Sequence, residues 1–267
     1  MIVGLLLLVA GAMDAFAAMP TRVVSLDYCA DQFVLKLLPK DRILAVSPDA
    51  TRSFSYMRQQ AVGIPTVRPV AEDVLMQAPD LAVRSYGGGA HITHFLKRVG
   101  LPVLQVPMVN DLSSIRESIR FMAVQLGMPQ RGEDIIADMD RRLAALTESL
   151  KEERVLYMTP SGVTGGQGTL VDEMLRAAGY QNFEERSGWW SLPLERLAYE
   201  QPDLVAAAYF DERTNHPNVW SAMRHPVAKR QLSERQTVFL EGAWMACGGW
   251  FLLDAIEALA TAPLARR

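Results

Sequence analysis

Few residues in this chain are placed for covalent chemistry. There are two cysteines, Cys29 and Cys247, and four histidines, His91, His94, His216 and His225. No histidine neighbours a serine or cysteine nucleophile motif, and no Gly-x-Ser-x-Gly elbow is present. His91 and His94 are three apart and could share a helix face. A zinc or manganese site needs further His or carboxylate ligands around the ion. Gly165-Gly166-Gln167-Gly168-Thr169 resembles a phosphate cradle at a helix start, but it lacks the lysine of a P-loop. Thr169 as an N-cap, with Asp172 three residues on, accounts for it as a variant capping box. Two cysteines are too few to hold an iron–sulfur cluster. In an oxidising compartment Cys29 and Cys247 could pair and tie the first helix to the last; two buried free thiols is the competing reading.

The residues set for binding are a doubled acid. Residues 70–81 read VAEDVLMQAPDL and residues 193–204 read PLERLAYEQPDL. Glu72 aligns with Glu195, Pro79 with Pro202 and Asp80 with Asp203, each at an offset of 123 residues without a gap. An acid in the first turn of a helix is stabilised there by the helix dipole, so either glutamate alone means little. Two at equivalent points of two lobes could present separated negative points to a partner with two arginines.

The surrounding pattern supplies the elements that would hold them. Strands are expected at 22–26, 42–47, 81–84, 103–106 and 154–158, and helices at 31–38, 70–77, 91–99 and 112–126. Strands alternating with helices imply parallel sheets covered on both faces. From 132 to 151 the rhythm changes to one helical stripe carrying Ile135, Ile136, Met139, Leu143, Leu146 and Leu150. Such a helix would span roughly 30 Å and act as a rigid strut. The fold class is therefore α/β, with two Rossmann-like lobes joined by one long helix and a ligand cleft where their strand ends face each other. The expected division is a signal peptide at 1–17, an N-terminal lobe at 18–127, a linking helix at 128–153 and a C-terminal lobe at 154–267. The apolar run 2–11 is too short for a stable bilayer anchor, and Ala15-Phe16-Ala17 offers small residues for cleavage. With 27 basic and 30 acidic side chains the net charge is −3, too mild to argue for nucleic acid.

The lobe plan, the strut and the doubled acid motif resemble the class III periplasmic binding proteins of iron–siderophore and vitamin B12 importers. The resemblance runs over essentially the whole chain after residue 17. It implies a monomeric, non-enzymatic, periplasmic protein that carries a metal chelate to an ABC permease, docking through Glu72 and Glu195. It also implies aromatic ligand contacts at the cleft rim. Trp189 stands six residues before Glu195, similar to a ligand-stacking tryptophan of cobalamin binders, and Trp190 adjoins it in the apparent loop Gly188-Trp189-Trp190-Ser191. Tyr86, Tyr56 and Trp244 are further candidates. Haem-binding members usually carry a tyrosine ligand just upstream of the first acid; Thr66-Val67-Arg68-Pro69 has none, which disfavours haem. Arg52, Arg68 and Arg84 could neutralise an anionic ferric siderophore. The alternatives are direct zinc or manganese binding, a stand-alone sensory module, or an enzyme on the same scaffold.

Overall fold

The computed structural model describes residues 19–86, 91–146, 151–208 and 221–263. The expected signal peptide falls outside the described residues, as does His216. The chain opens with β1 (Val23–Ser25), α1 (Tyr28–Leu37), β2 (Ile43–Ala45), α2 (Ala71–Met76), β3 (Leu81–Arg84), α3 (Ile92–Arg98), β4 (Val103–Gln105) and α4 (Leu112–Gln125). It continues through α5 (Pro129–Ala145), β5 (Arg154–Met158), β6 (Val163–Gly165), α6 (Leu170–Ala177), β7 (Gln181–Asn182), β8 (Trp189–Ser191), α7 (Leu194–Tyr199) and β9 (Leu204–Ala208). It ends with α8 (Pro226–Glu234), β10 (Gln236–Leu240), α9 (Gly242–Met245) and α10 (Leu252–Ala260).

Two four-stranded parallel sheets form, in the orders β2-β1-β3-β4 and β10-β9-β5-β7. Read from its other edge, the second sheet runs β7-β5-β9-β10. Leaving aside β6 and β8, this is the order of the first sheet, so the repeated motif in the sequence reports a repeated topology. The Pro-Asp step does the same job twice. The Asp80 N–H donates to the Arg22 carbonyl at 2.9 Å, and the Asp203 N–H donates to the Arg154 carbonyl at 2.9 Å. The Asp80 carboxylate accepts from the Thr21 and Arg22 N–H groups, and that of Asp203 accepts from the Arg154 N–H at 2.9 Å. Each aspartate thus clips the start of its own strand to the start of the neighbouring one.

Alternation along the strands sends side chains to two layers. Val24 and Ala82 point into an outer core in the first half, and Leu156 and Met158 into an outer core in the second. Val23, Val83, Val155 and Tyr157 join one inner core that also takes in Phe33, Ile119, Met139, Met174 and Phe251. The two lobes therefore share an apolar layer.

The linking helix α5 starts earlier and ends earlier than the stripe predicts. Pro129 opens it because proline's missing N–H costs nothing at the first helical position. It ends at Ala145, where Leu146 turns extended and packs against the inner core. Its 17 residues span about 25 Å, and Leu150 lies outside the described residues. Met139 and Ile136 face the core while Arg142 reaches α10, donating to Glu257 at 2.7 Å and to Asp254 at 2.5 Å. The strut is thus fastened to the last helix as well as to α4, through Arg116–Asp140 and Arg120–Glu133.

Candidate functional site

The strand order of the first sheet reverses between β1 and β3, and a crevice opens beyond the carboxyl ends of strands at such a point. Asp27 builds this edge. Its buried carboxylate caps α1 by accepting from the Cys29 and Ala30 N–H groups. It also accepts from the N–H and hydroxyl of Ser85, both at 2.6 Å, just past β3. That grip sets the position of Tyr86. Tyr86 is 65% exposed, and its hydroxyl lies 3.9 Å from the Cys29 Sγ. Burial, then the neighbouring Tyr86 hydroxyl, raises the Tyr28 phenol above its ordinary range.

A cavity of about 220 Å³ lies beside Tyr86. The first half contributes Cys29, Phe33, Ser85, Tyr86 and the loop 106–110 after β4; the second contributes Leu170, Val171, Trp189, residues 245–248 and Leu252. Trp189 is 58% exposed and rests edge-on against buried Tyr157, with centroids 6.4 Å apart. Tyr86 from one lobe and Trp189 from the other therefore flank one apolar cleft. None of the described lining residues carries a charge.

The tryptophan pair is not a loop. Trp189 and Trp190 lie in β8, paired antiparallel with β6, Gly165 opposite Trp189 and Thr164 opposite Trp190. Adjacent strand residues face opposite ways. Trp190 accordingly turns from the cleft to a groove beside Glu195, where the Arg186 guanidinium lies 4.4 Å over its ring and its Nε1–H donates to the Ser187 carbonyl at 2.9 Å. The glycine-rich loop also lies off the cleft, its Gln167 and Gly168 lining a separate polar groove. A Cβ on Gly166 would fall 1.7 Å from the Arg186 carbonyl oxygen, so this glycine serves close backbone packing. Thr169 caps α6 as expected, but Asp172 accepts from Asn182 instead of closing a capping box.

Tyr56 and Trp244 are also outside the cleft lining. The Tyr56 hydroxyl donates to Asp254 at 2.8 Å and its ring stacks on Phe251 at 5.0 Å. Burial first, and then this bond, push the phenol up to about 12. With Asp254 also bound by Arg142, Tyr56 closes a tie between the first lobe, the strut and the last helix. Trp244, in α9, packs against the inner core. Cys29 and Cys247 are joined in a disulfide with Cα atoms 5.6 Å apart, and both residues line the cleft. Arg52 pairs with Asp49, Arg68 with Asp73, and buried Arg84 donates to the Ser85 carbonyl. Among the described residues no three His, Cys, Asp or Glu side chains cluster to hold a metal ion. Met108, Val109 and Asn110 escaped the sequence reading; the carboxyl-end rule, applied to the loop after β4, would have found them.

Glu72 and Glu195 are exposed in the first turns of α2 and α7. Their neighbours are engaged, Asp73 by Arg68 and Glu200 by Arg154 and Arg196. Neither the Glu72 nor the Glu195 carboxylate has a hydrogen bond or ion pair among the described residues.

Residues 23–216 match a family model described as a periplasmic binding protein. No curated protein sequence matches the chain. Among solved structures, the chain is similar to the apo form of the periplasmic heme-binding protein RhuT from Roseiflexus sp. RS-1, with TM-score 0.70, 22% identity and 90% and 96% of the two chains covered. The vitamin B12 binding protein BtuF of Vibrio cholerae gives TM-score 0.64 and 19% identity, covering 91% and 96%. The structure of an ABC-type Fe3+-hydroxamate transport system from Saccharomonospora viridis gives TM-score 0.65 and 17% identity, covering 90% and 92%. At these identities the likeness establishes the two-lobed fold.

Proposed function

Because the chain belongs to the periplasmic binding protein family, a family of binding proteins and not of enzymes, we propose that it is the solute-binding component of an ABC importer. Its cargo in this reading is a metal chelate, a cobalamin-like corrinoid before a ferric siderophore. The observation that carries the reading is the cleft flanked by Tyr86 and Trp189, whose described lining is uncharged. Flat aromatic faces supply contact area to a large ring at little entropic cost. An anionic ferric complex would call for guanidinium groups at the cleft, and Arg52, Arg68 and Arg84 are engaged by other groups. The cavity of about 220 Å³ is smaller than the ~300–1,000 Å³ of sites that enclose a drug-sized ligand. A corrinoid would therefore insert an edge and lie across the rim.

In this proposal residues 1–17 direct export and are removed near Ala17. The mature monomer consists of lobes at 18–127 and 154–267 around a link at 128–153. The shared inner core and the Tyr56–Asp254–Arg142 tie restrict lobe motion to small angles. Glu72 and Glu195 dock the loaded protein on permease arginines. The test is a calorimetric titration with cyanocobalamin, several ferric siderophores and haem, paired with uptake by the Glu72→Ala, Glu195→Ala double variant. Cyanocobalamin is expected to bind tightest and haem weakest, and the double variant to lose uptake while keeping its affinity. Failure of every chelate to bind would sink the cargo assignment; unimpaired uptake would sink the docking assignment.

A further inference from the structure

The two most exposed large apolar side chains among the described residues are Tyr199, at 91%, and Met76, at 83%. They stand 123 residues apart, the same offset that relates Glu195 to Glu72. Each lies four residues after its glutamate in the same short helix. Residues i and i+4 share a helix face. The buried residue of each helix, Val74 in α2 and Leu197 in α7, falls two residues after the glutamate, on the opposite side. These two are again 123 apart. Each helix is thus pinned to its lobe through one apolar face, Val74 with Ala71 in α2 and Leu197 with Leu194 in α7, and turns outward an unengaged carboxylate beside an uncovered apolar side chain. Among the described residues neither Met76 nor Tyr199 belongs to a packed apolar cluster.

We propose that Glu72 with Met76, and Glu195 with Tyr199, form two equivalent docking knobs for the external face of a two-fold symmetric permease dimer. Each permease subunit would offer a cationic side chain next to an apolar pocket. The proposal rests on the docking reading of the two glutamates and adds the apolar half of the contact. Charge and symmetry select the occupant. Two free carboxylates call for two cations, and one motif displayed twice by a single chain fits a partner that presents one site twice. Exposed ion pairs are screened by salt and contribute little alone. An apolar side chain seated in a pocket supplies a contribution that salt does not weaken, and matched exposed apolar residues mark interaction surfaces. Methionine adapts to an irregular pocket, whereas tyrosine offers a rigid ring, so the two subunits can engage unequal lobes with the same pocket.

The test measures binding of the loaded full-length protein to the permease–ATPase complex of its own importer in nanodiscs, at low and high salt. Calorimetry with cyanocobalamin runs in parallel on each variant as a control for folding. The Met76→Ser, Tyr199→Ser double variant is expected to bind the permease at least tenfold more weakly, with an unchanged salt slope. Met76→Leu with Tyr199→Phe is expected to bind like the parent. Glu72→Gln with Glu195→Gln is expected to weaken binding and flatten the salt slope. Unchanged docking by the serine variant overturns the apolar knobs and leaves the glutamate reading intact. Unchanged docking by the glutamine variant, with loss in the serine variant, overturns the glutamate reading and the pairing with it.

Discussion

Replacing Trp189 by alanine tests the cleft most directly. Trp189 is 58% exposed. Over the ~250 Å² of a tryptophan, that leaves about 140 Å² open to a ligand. At ~25 cal/mol per Å², complete cover would contribute at most about 3.5 kcal/mol. A planar ligand covers one ring face and alanine keeps part of the patch, so about half is lost. That is ~1.7 kcal/mol, or a roughly 20-fold rise in Kd. Trp190→Ala is the internal control, because β8 turns that ring to the other face, under Arg186. Calorimetry with cyanocobalamin should show the rise for Trp189→Ala and a change below threefold for Trp190→Ala. Equal affinity for parent and Trp189→Ala, or an equal loss for both variants, would refute the assignment of faces.

Three other perturbations follow from the same geometry. Asp31 is buried, and burial lifts its carboxyl from 3.8 to about 6 despite the nearby Ser25 hydroxyl and the hydrogen bonds from Ser47, which lower it. The folded state then holds a proton that the unfolded state releases, so stability falls by up to about 3 kcal/mol as pH rises from ~4 to ~6 and levels off above; urea unfolding of Asp31→Asn should lack this slope, and an identical slope would locate it elsewhere. A Cβ on Gly248 would meet Val109 Cγ2 at 2.1 Å in the cleft lining, so Gly248→Val should cost ~2 kcal/mol by overpacking and weaken ligand binding, and an unshifted melting temperature would contradict that close approach. The Cys29–Cys247 link closes 218 residues of chain; reduction should lower stability by at most about 5 kcal/mol in the chain-entropy account, and equal thermal melts with and without reductant would show that the link does not constrain the unfolded chain.

The lobes were legible because their signals are local. Buried strands such as Leu81–Arg84 and Arg154–Met158 are short apolar runs between turn residues, and they fall at their expected bounds. The echo around Pro79-Asp80 and Pro202-Asp203 was readable because the same clip between strand starts is needed twice. By itself the sequence determined two matching α/β lobes, a helix between them and an acid at the same point of each. Tertiary structure decided which way side chains face. Trp189 entered the cleft and Trp190 left it because β8 pairs with β6, a contact between segments some 25 residues apart that no local pattern in either one announces. Tyr56 went to Asp254 because the last helix returns to the first lobe. The loop 106–110 and residues 245–248 became cleft walls only when distant strand ends and the disulfide brought them together. Met76 and Tyr199 look like core residues in a list of letters; what leaves them in solvent is that Val74 and Leu197 already fill the only buried face of each short helix.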